Sequence, residues 1–306
     1  MPPQDERSLA RTRTVAVLTA YEPDARIRDV VAAASRECGQ VIVVDNTPEP
    51  QPGARAVLAP APDLTIVRNG ANVGLAAALN HGIGLAASDF DAVLLLDQDS
   101  TVPDGLVSEL RSLLDGDSRI GIASPAPWDA TTRRYLDPRA SRRSEVADVP
   151  VAITSGMVIR RTALADVGPL RVEFFVDCID QDLCLRMRRH GWRVVQDRRV
   201  RLPHSLGDTR WHGWGPLRLR ATHHATWRLY WAARNGVVLA RENWRSEPAW
   251  SALSIGLLAY WALTVLLFEP PRRLRISTLV RGARDGWTGR TDLTQLPRGA
   301  SPHPVA

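Results

Sequence analysis

The stretch VLLLDQDST at residues 93–101 decides the fold of this chain. Its apolar part has the length and composition of a strand that is buried on both faces, as in a parallel sheet. Such a strand delivers the residues that follow it to the carboxyl edge of the sheet, where open α/β sheets bind ligands. Asp97 and Asp99 can share one hard cation that also binds a diphosphate. In the alternative interpretation, the polar residues 99–101 cap a helix that begins near Pro103.

The segments around this stretch repeat a strand–helix pattern. Strands are predicted at 14–19, 41–45, 64–67 and 93–96, and helices at 24–38, 75–87 and 103–114. This alternation predicts an α/β fold with a mostly parallel central sheet and helices on both of its faces.

The second half of the chain has a less regular pattern. It predicts a strand at 151–159 that Gly156 interrupts, a helix at 178–190, a strand at 193–196 and a basic helix at 222–243. Residues 130–148 are rich in Arg and turn-forming residues, which indicates a mobile loop over the site.

Composition excludes several classes of protein. The 306 residues suffice for one large α/β domain with a smaller appendage, and all basic residues behind the net charge of +6 are Arg. No zinc-finger spacing or RNP-type strand occurs, so nucleic-acid binding is not expected. Cys38, Cys178 and Cys184 form no C-x-x-C pair, so we expect neither a disulfide framework nor structural zinc. The polar, charged start indicates no secretory signal, and a reducing cytoplasmic setting fits best.

Residues 250–268 depart from this soluble pattern. They run for 19 residues without a charge, just long enough to span a bilayer, and Arg272, Arg273 and Arg275 follow. Three interpretations stand: the segment spans the membrane, lies half-immersed at its surface, or packs in the core or in a homo-oligomer interface. A cytoplasmic body with no second span favours the membrane surface.

Further polar residues accompany the acids of the 93–101 stretch, and together they resemble a known family. The matching motifs are VDN (44–46), NVGLAAALNHG (72–82), LLLDQDS (94–100), TSG (154–156), FVDCIDQDLCLR (175–186), His204 and RLYWAARN (228–235). In order and spacing the chain resembles family 2 glycosyltransferases of the GT-A fold, and among them the rhamnosyltransferase branch. The resemblance covers residues 13–243 and implies a GT-A domain there. Outside it, the sequence predicts a disordered N-terminus at 1–12, a helical membrane-associating extension at 244–290 and a flexible tail at 291–306.

The resemblance also implies a metal and a donor. Asp97 and Asp99 would flank a Mg²⁺ or Mn²⁺ that bridges the two phosphates of a nucleotide sugar, by resemblance dTDP-L-rhamnose, and His204 would complete the coordination. The predicted donor contacts are Asp45 at the base or ribose, Asn72, Gly74 and Asp97 at the nucleotide, and Arg234 at the diphosphate.

By the same resemblance, Asp180 is the catalytic base. It would take a proton from an acceptor hydroxyl while that oxygen attacks the anomeric carbon, which inverts the configuration. Many relatives have Glu before this Asp, whereas this chain has Ile179, so Asp177 and Asp182 stay open as alternatives. Asp182 would also orient Arg186, four residues later on the same helix face.

Each predicted site residue also has a structural interpretation. Asp45 can cap a strand end, Asn72 is an ordinary turn former, and a lone His such as His204 is often structural. The acids at 177–182 suit the start of a helix, and Arg234 can equally face anionic lipid.

The implied acceptor is a lipid-linked glycan at the cytoplasmic face of the membrane, in the synthesis of cell-wall or surface polysaccharide. Within the family, a UDP- or GDP-linked donor is an alternative. A nucleotidyltransferase would need a Gly-rich loop after the first strand, and the loop YEPDAR at 21–26 has no glycine. A non-catalytic sugar- or lipid-binding scaffold would bind the same ligands without turnover.

Overall fold

The structure is a computed structural model in which residues 13–86, 89–129, 132–137, 140–203, 210–212, 219–290, 292–293, 295–297 and 299–301 are described. The chain divides into two compact units. The first comprises Met1–Leu170, Leu183–His204 and Gly299–Ala306, and the second comprises Arg171–Asp182 and Ser205–Arg298. The N-terminal segment 1–12, predicted to be disordered, lies outside the described residues.

In the described part of the first unit, nine strands form one mixed sheet. They are β1 (Thr14–Ala20), β2 (Gln40–Asp45), β3 (Leu64–Arg68), β4 (Ala92–Asp97), β5 (Ile120–Asp129), β6 (Arg134–Tyr135), β7 (Val146–Asp148), β8 (Met157–Arg160) and β9 (Arg193–Pro203). Their order is β3-β2-β1-β4-β8-β5-β9-β7, and β6 pairs with β5. Strands β1 to β4 are parallel, while β8 runs antiparallel to both β4 and β5. The carboxyl ends of β1, β2, β4, β5 and β9 therefore share one edge of the sheet.

The helices of this unit pack against the sheet. They are α1 (Arg26–Glu37), α2 (Leu75–Gly84), α3 (Leu106–Gly116), α4 (Arg161–Val167) and the later part of α5 (Ile179–Arg189). The apolar residues of β1, β2 and β4 are almost completely buried. Continuous apolar runs of this kind are typical of strands covered on both faces, and the predicted α/β fold is confirmed.

Three strands differ from the sequence prediction. The pattern missed β5, because Gly121, Pro125 and Pro127 give its ten residues the composition of a loop. Strand β8 begins only at Met157, because Gly156 has a φ of +81° that ends the extended run. In the other direction, β9 continues to Pro203, well beyond the predicted end at 196.

The Arg-rich segment 130–148 was predicted to be a mobile loop, and this prediction is wrong for Arg134–Tyr135 and Val146–Asp148, which are strands. Strand β6 pairs with β5, and β7 pairs antiparallel with β9, with Val146 opposite Asp197. Backbone pairing of this kind makes both short strands part of the sheet.

The second unit is built around three helices. They are α6 (Thr226–Asn243), α7 (Pro248–Phe268) and α8 (Arg272–Thr288), and a hairpin of β10 (Arg210–His212) and β11 (Leu219–Ala221) accompanies them. Helix α8 packs so closely on α6 that a Cβ atom at Gly282 would clash with the carbonyl of Tyr230, and one at Gly286 with the carbonyl of Arg234. Glycine at these two positions therefore allows the two backbones to touch.

Helix α7 contains the apolar segment singled out in the sequence. Within the described residues it is the one helix long and apolar enough to cross a membrane, with a mean hydropathy of 1.9 and 17% of its most apolar window buried. Leu253 and Leu266 are 51% and 55% exposed. A core helix would be mostly buried, so the core interpretation does not fit this chain.

Candidate active site

In the first unit, the acids predicted from the sequence gather at the carboxyl edge of the sheet. In register, Asp45 lies beside Ala20 at the end of β1, and Asp97 lies beside Thr19. Residues that follow parallel strands are brought together at this edge, which is the usual ligand-binding edge of α/β sheets.

The turn after β4 is fixed by hydrogen bonds. The amide of Ser100 donates to the carbonyl of Asp97 at 3.2 Å, and the Ser100 hydroxyl accepts from the Asp97 amide at 3.0 Å. The hydroxyls of Ser100 and Ser155 also bond to each other. Both serines are buried, so the turn presents the carboxylates of Asp97 and Asp99 from a rigid base.

Asp99 is the more open of the two acids. Its side chain is 52% exposed, and its nearest cation is Arg26, whose Nη1 lies 4.0 Å from Oδ2. The helix-cap interpretation is wrong, because α3 begins at Leu106 and Glu37 accepts from the amides of Gly105 and Val107 at 2.6 and 3.2 Å.

The two carboxylates fit a divalent cation of the magnesium type. No cluster of three or more His, Cys, Asp or Glu side chains occurs among the described residues. Mg²⁺ needs no such cluster, because it commonly binds through one or two carboxylates and takes its other ligands from water and substrate phosphates. His204, the predicted third ligand, lies outside the described residues.

Gln98, between the two acids, ties the turn to the end of β1. Its Oε1 accepts from the amide of Tyr21 at 2.7 Å, and its Nε2 donates to the carbonyl of the same residue at 3.2 Å. The sequence analysis gave Gln98 no role. Its side-chain amide forms both hydrogen bonds with the backbone of Tyr21, as a neighbouring strand would. These two bonds fix the spacing between β1 and the acidic turn.

Asp45 is engaged with its own loop. It is 1% exposed, and its two oxygens accept from the amides of Thr47 and Ala54 at 3.0 and 2.6 Å. At Gly53, a Cβ atom would clash with this carboxylate, so glycine lets the loop approach. This geometry matches the strand-end interpretation of Asp45; the donor contact stays a prediction.

A buried polar network beside Asp45 went unnoticed in the sequence. Asn46 donates to the carbonyl of Gly74 at 3.2 Å and accepts from Asn69 at 2.7 Å, while Nδ1 of His81 lies 2.9 Å from Oδ1 of Asn69. The network joins the ends of β2 and β3 to α2. The Asn residues that directly follow both strands were the available signal.

Asn72 forms the expected turn, since its Oδ1 accepts from the amide of Gly74 at 3.0 Å. Gly74 has a φ of +87° immediately before α2, a conformation that favours glycine. The carbonyl of Asn72 also accepts from the amide of Ser301 at 3.0 Å, which brings the C-terminal segment to this turn.

In the second unit, the three candidate bases have different surroundings. Asp182 is 1% exposed and pairs with Arg171 at 3.5 Å, and Asp177 forms a bidentate pair with Arg228 at 2.7 to 3.0 Å. Asp180 is half-buried in the first turn of α5. Its Oδ1 accepts from the amide of Gln181 at 2.8 Å, and the choice among the three acids stays a prediction.

Helix α5 follows a strained turn that one side chain holds together. Phe175, Asp177 and Cys178 have φ values of +55° to +62°, which non-glycine residues rarely adopt. The side-chain Nδ2 of Asn235, which is fully buried in α6, donates to the backbone carbonyls of Phe174, Val176 and Asp177 at 2.8 to 3.0 Å. Asn235 therefore stabilises the turn that leads to Asp180.

Arg234 is a buried residue of α6. Its guanidinium is fully buried, stacks 4.9 Å from the Trp231 ring, and donates to the carbonyls of Glu173 and Arg290 at 2.8 and 2.9 Å. Burial lowers the pKa of this guanidinium. Nη2 has no hydrogen-bond partner among the described residues, and the full burial of the side chain does not fit contact with anionic lipid. The two bonds to backbone carbonyls match a structural role; the contact with the diphosphate stays a prediction.

Cys178 offers no nucleophile beside these acids. Desolvation, and after it the charges of Asp177, Asp180 and Asp182, raise the pKa of its thiol well above the usual value. The thiol stays protonated at neutral pH, and the thiolate is the reactive form.

Comparison of the sequence with known proteins identifies a family and a similar transferase. The profile of the family described as Glycosyl transferase family 2 matches residues 16–168, half of the chain. The dTDP-rhamnosyl transferase RfbF of Shigella flexneri is 24% identical over 242 residues, which cover 74% of this chain and 80% of that protein.

Two solved structures are similar over most of the chain. The mannosyltransferase PcManGT from Pyrobaculum calidifontis, in complex with GDP-Man and Mn²⁺, has a TM-score of 0.59 at 16% identity and covers 92% of this chain and 88% of its own. TarS 1–349 of S. aureus has a TM-score of 0.56 at 12% identity and covers 92% and 82%. These likenesses confirm the expected GT-A fold.

Proposed function

Because this chain belongs to glycosyl transferase family 2 and is a glycosyltransferase, we propose that it moves L-rhamnose from dTDP-L-rhamnose to a lipid-linked glycan, with inversion and with a divalent cation. The observation that carries the proposal is the rigid Asp97–Ser100 turn at the carboxyl edge of the sheet, with Asp99 open to solvent. Metal-dependent hydrolysis of the donor by the purified protein tests it.

The choice of sugar rests on similarity. The relative RfbF is a dTDP-rhamnosyl transferase, and it matches 74% of this chain. UDP- and GDP-linked sugars are the competing donors, and PcManGT was solved with GDP-Man. A donor panel that contains all three nucleotides therefore separates the alternatives.

Asp97 and Asp99 are proposed to hold Mg²⁺ or Mn²⁺, with His204 as a further ligand. A cation bound there would supply positive charge to the departing diphosphate. The chain's own contribution is orientation, because Ser100, Ser155 and Gln98 fix the turn before any ligand binds. Asn72 and Gly74 at the same edge are proposed to contact the nucleotide.

Asp180 is proposed as the general base. It would accept the proton of the acceptor hydroxyl as that oxygen forms a bond to the anomeric carbon and the bond to the diphosphate breaks. Asp177 and Asp182 are each held by an arginine, so their proposed role is to position the segment that carries Asp180.

Helix α7 is proposed to lie at the surface of an anionic membrane on the cytoplasmic side. It has no charge from Pro248 to Phe268, only 17% of its apolar window is buried, and the basic residues Arg272 and Arg273 follow. An apolar helix beside basic residues combines hydrophobic insertion with attraction to anionic headgroups. Such a position would bring the enzyme to a lipid-linked acceptor.

We expect the protein to float with phosphatidylglycerol-containing vesicles, and the double variant Leu253→Glu/Leu257→Glu to partition at least about tenfold less, because charges replace two exposed leucines that would insert into the bilayer. Leu85→Glu, at a 42% exposed leucine just after α2, is the matched control. Equal flotation of the double variant and the control, or no flotation of the unaltered chain, would refute the membrane proposal.

A further inference from the structure

A cavity of about 570 Å³ lies in the first unit, apart from the residues assigned above. It is bordered by the start of α3, by the carboxyl-terminal part of β9 and by Tyr135 of β6. The residues that matter for the argument are Glu109, Tyr135, Glu145, Arg198, Arg199 and Arg201. Its volume falls within the range of small-molecule sites.

A bulge in β9 builds one wall of this cavity. Along β5, Pro125 lies opposite Asp197 and the next residue lies opposite Arg201, so residues 198–200 have no partner on β5. Asp197, fully buried, accepts from the Arg199 amide at 2.8 Å and pairs with its guanidinium at 2.7 Å. Bulges that redirect side chains are common beside active sites.

Both sides of the bulge are clamped. The amide of Arg198 donates to the carbonyl of Glu145 at 2.8 Å, and the Tyr135 hydroxyl donates to the carbonyl of Arg198 at 3.2 Å. The guanidinium of Arg198 donates through Nε to the Ser144 carbonyl at 3.2 Å. The wall is thus held by a buried carboxylate and by two neighbouring segments, which makes it a rigid feature.

Arg201 lines the cavity, and its guanidinium stacks on aromatic rings. Its guanidinium lies 4.4 Å from the centroid of the Trp128 ring and 5.9 Å from that of Tyr135. Among the described residues it has no ion pair, and its side chain is exposed. A guanidinium that stacks on a ring keeps the N–H groups along its edge free to donate hydrogen bonds.

The charges around the cavity balance. The charge of Arg199 is matched by Asp197 and that of Asp104 by Arg36, which leaves Arg198 and Arg201 facing the carboxylates of Glu109 and Glu145. These two carboxylates form no ion pair with a described residue. With these charges balanced, a charged ligand gains no net attraction, whereas a hydroxyl-rich neutral ligand can donate to the glutamates and accept from the arginines.

We propose that this cavity binds a neutral sugar residue of the acceptor glycan; this inference rests on the proposed transferase function. The location agrees with that role. The carboxyl ends of β4, β5 and β9 share one edge, so the cavity and the Asp97–Ser100 turn lie along the same edge of the sheet. The start of α3 at the cavity also follows that turn within a few residues.

Saturation-transfer NMR with the methyl glycosides of rhamnose, galactose, glucose, mannose and N-acetylglucosamine tests this proposal. We expect at least one glycoside to bind the unaltered chain, and to bind Arg201→Ala and Glu109→Gln at least about fivefold more weakly, since each change removes charged hydrogen-bonding capacity. Glu109→Gln keeps the shape of an exposed side chain and so guards against a folding defect. Arg119→Ala, at an exposed arginine before β5, is the matched control and should bind normally.

Two results would overturn the proposal: no glycoside binds the unaltered chain, or both cavity variants bind as the control does. Donor hydrolysis by the same preparation of the unaltered chain separates this test from the transferase proposal. Hydrolysis without glycoside binding refutes the sugar site alone. Glycoside binding that depends on Arg201, without hydrolysis of any donor and without metal-dependent nucleotide binding, supports the sugar site and refutes the transferase proposal.

Discussion

Asp180→Asn is expected to lower kcat for donor hydrolysis by about 10²–10⁴-fold, because removal of a general base costs a rate of that order. Water takes the place of the acceptor hydroxyl in this assay, so the glycan need not be known. Donor affinity should change little, since the proposed role of Asp180 concerns the attacking oxygen. The measurement is the steady-state rate of nucleotide release, with Asp29→Asn, at an exposed acid of α1, as the matched control.

Variants of the neighbouring acids Asp177 and Asp182 distinguish Asp180 from the other two candidate bases. Asp182 is 1% exposed and lies 3.5 Å from Arg171, which also pairs with Glu173 and Glu242, so Asp182→Asn should lower the free energy of unfolding by about 1–3 kcal/mol through the lost hydrogen bond. Asp180→Asn should keep the chain folded at the assay temperature, because its Oδ1 can still accept from the Gln181 amide. Normal turnover of Asp180→Asn, together with an inactive but fully stable Asp177→Asn or Asp182→Asn variant, would move the base to that neighbour.

Asp99→Ala is expected to lower donor hydrolysis by at least about 10²-fold and to weaken Mn²⁺ binding, because preorganised charge at a developing anion commonly contributes that much. Electron paramagnetic resonance of free Mn²⁺, titrated in the presence of dTDP, reports the binding independently of turnover. Asp29→Ala is the matched control. Full activity of Asp99→Ala, or Mn²⁺ binding equal to that of the control, would exclude Asp99 as a metal ligand.

Much of the first unit could be predicted because its strands are buried on both faces. Strands such as 92–97 are nearly uninterrupted apolar runs, and their ends place acids at the sheet edge whatever the details of packing. Strand β5 escaped because proline and glycine, which usually disfavour strands, occur in it. The bulge of β9 escaped because it depends on the register between two strands about 70 residues apart in the chain.

The acids of the candidate site could be predicted from the sequence, whereas the residues that hold them in place could not. The positions of Asp97 and Asp99 follow from local order along the chain, whereas the clamp on the turn before Asp180 joins Asn235 to residues 58 to 61 positions away. Arg234 shows the same limit. Its type suits a diphosphate, but its helix position directs it into the interior, where backbone carbonyls surround it.

The most direct test of the account is donor hydrolysis by the purified chain, with dTDP-L-rhamnose and UDP- and GDP-linked sugars, each in Mg²⁺, Mn²⁺ or EDTA. The account predicts slow release of dTDP from dTDP-L-rhamnose, faster than release from the other donors, and complete loss in EDTA. Hydrolysis that persists in EDTA, or no turnover of any donor and no metal-dependent nucleotide binding, would contradict it.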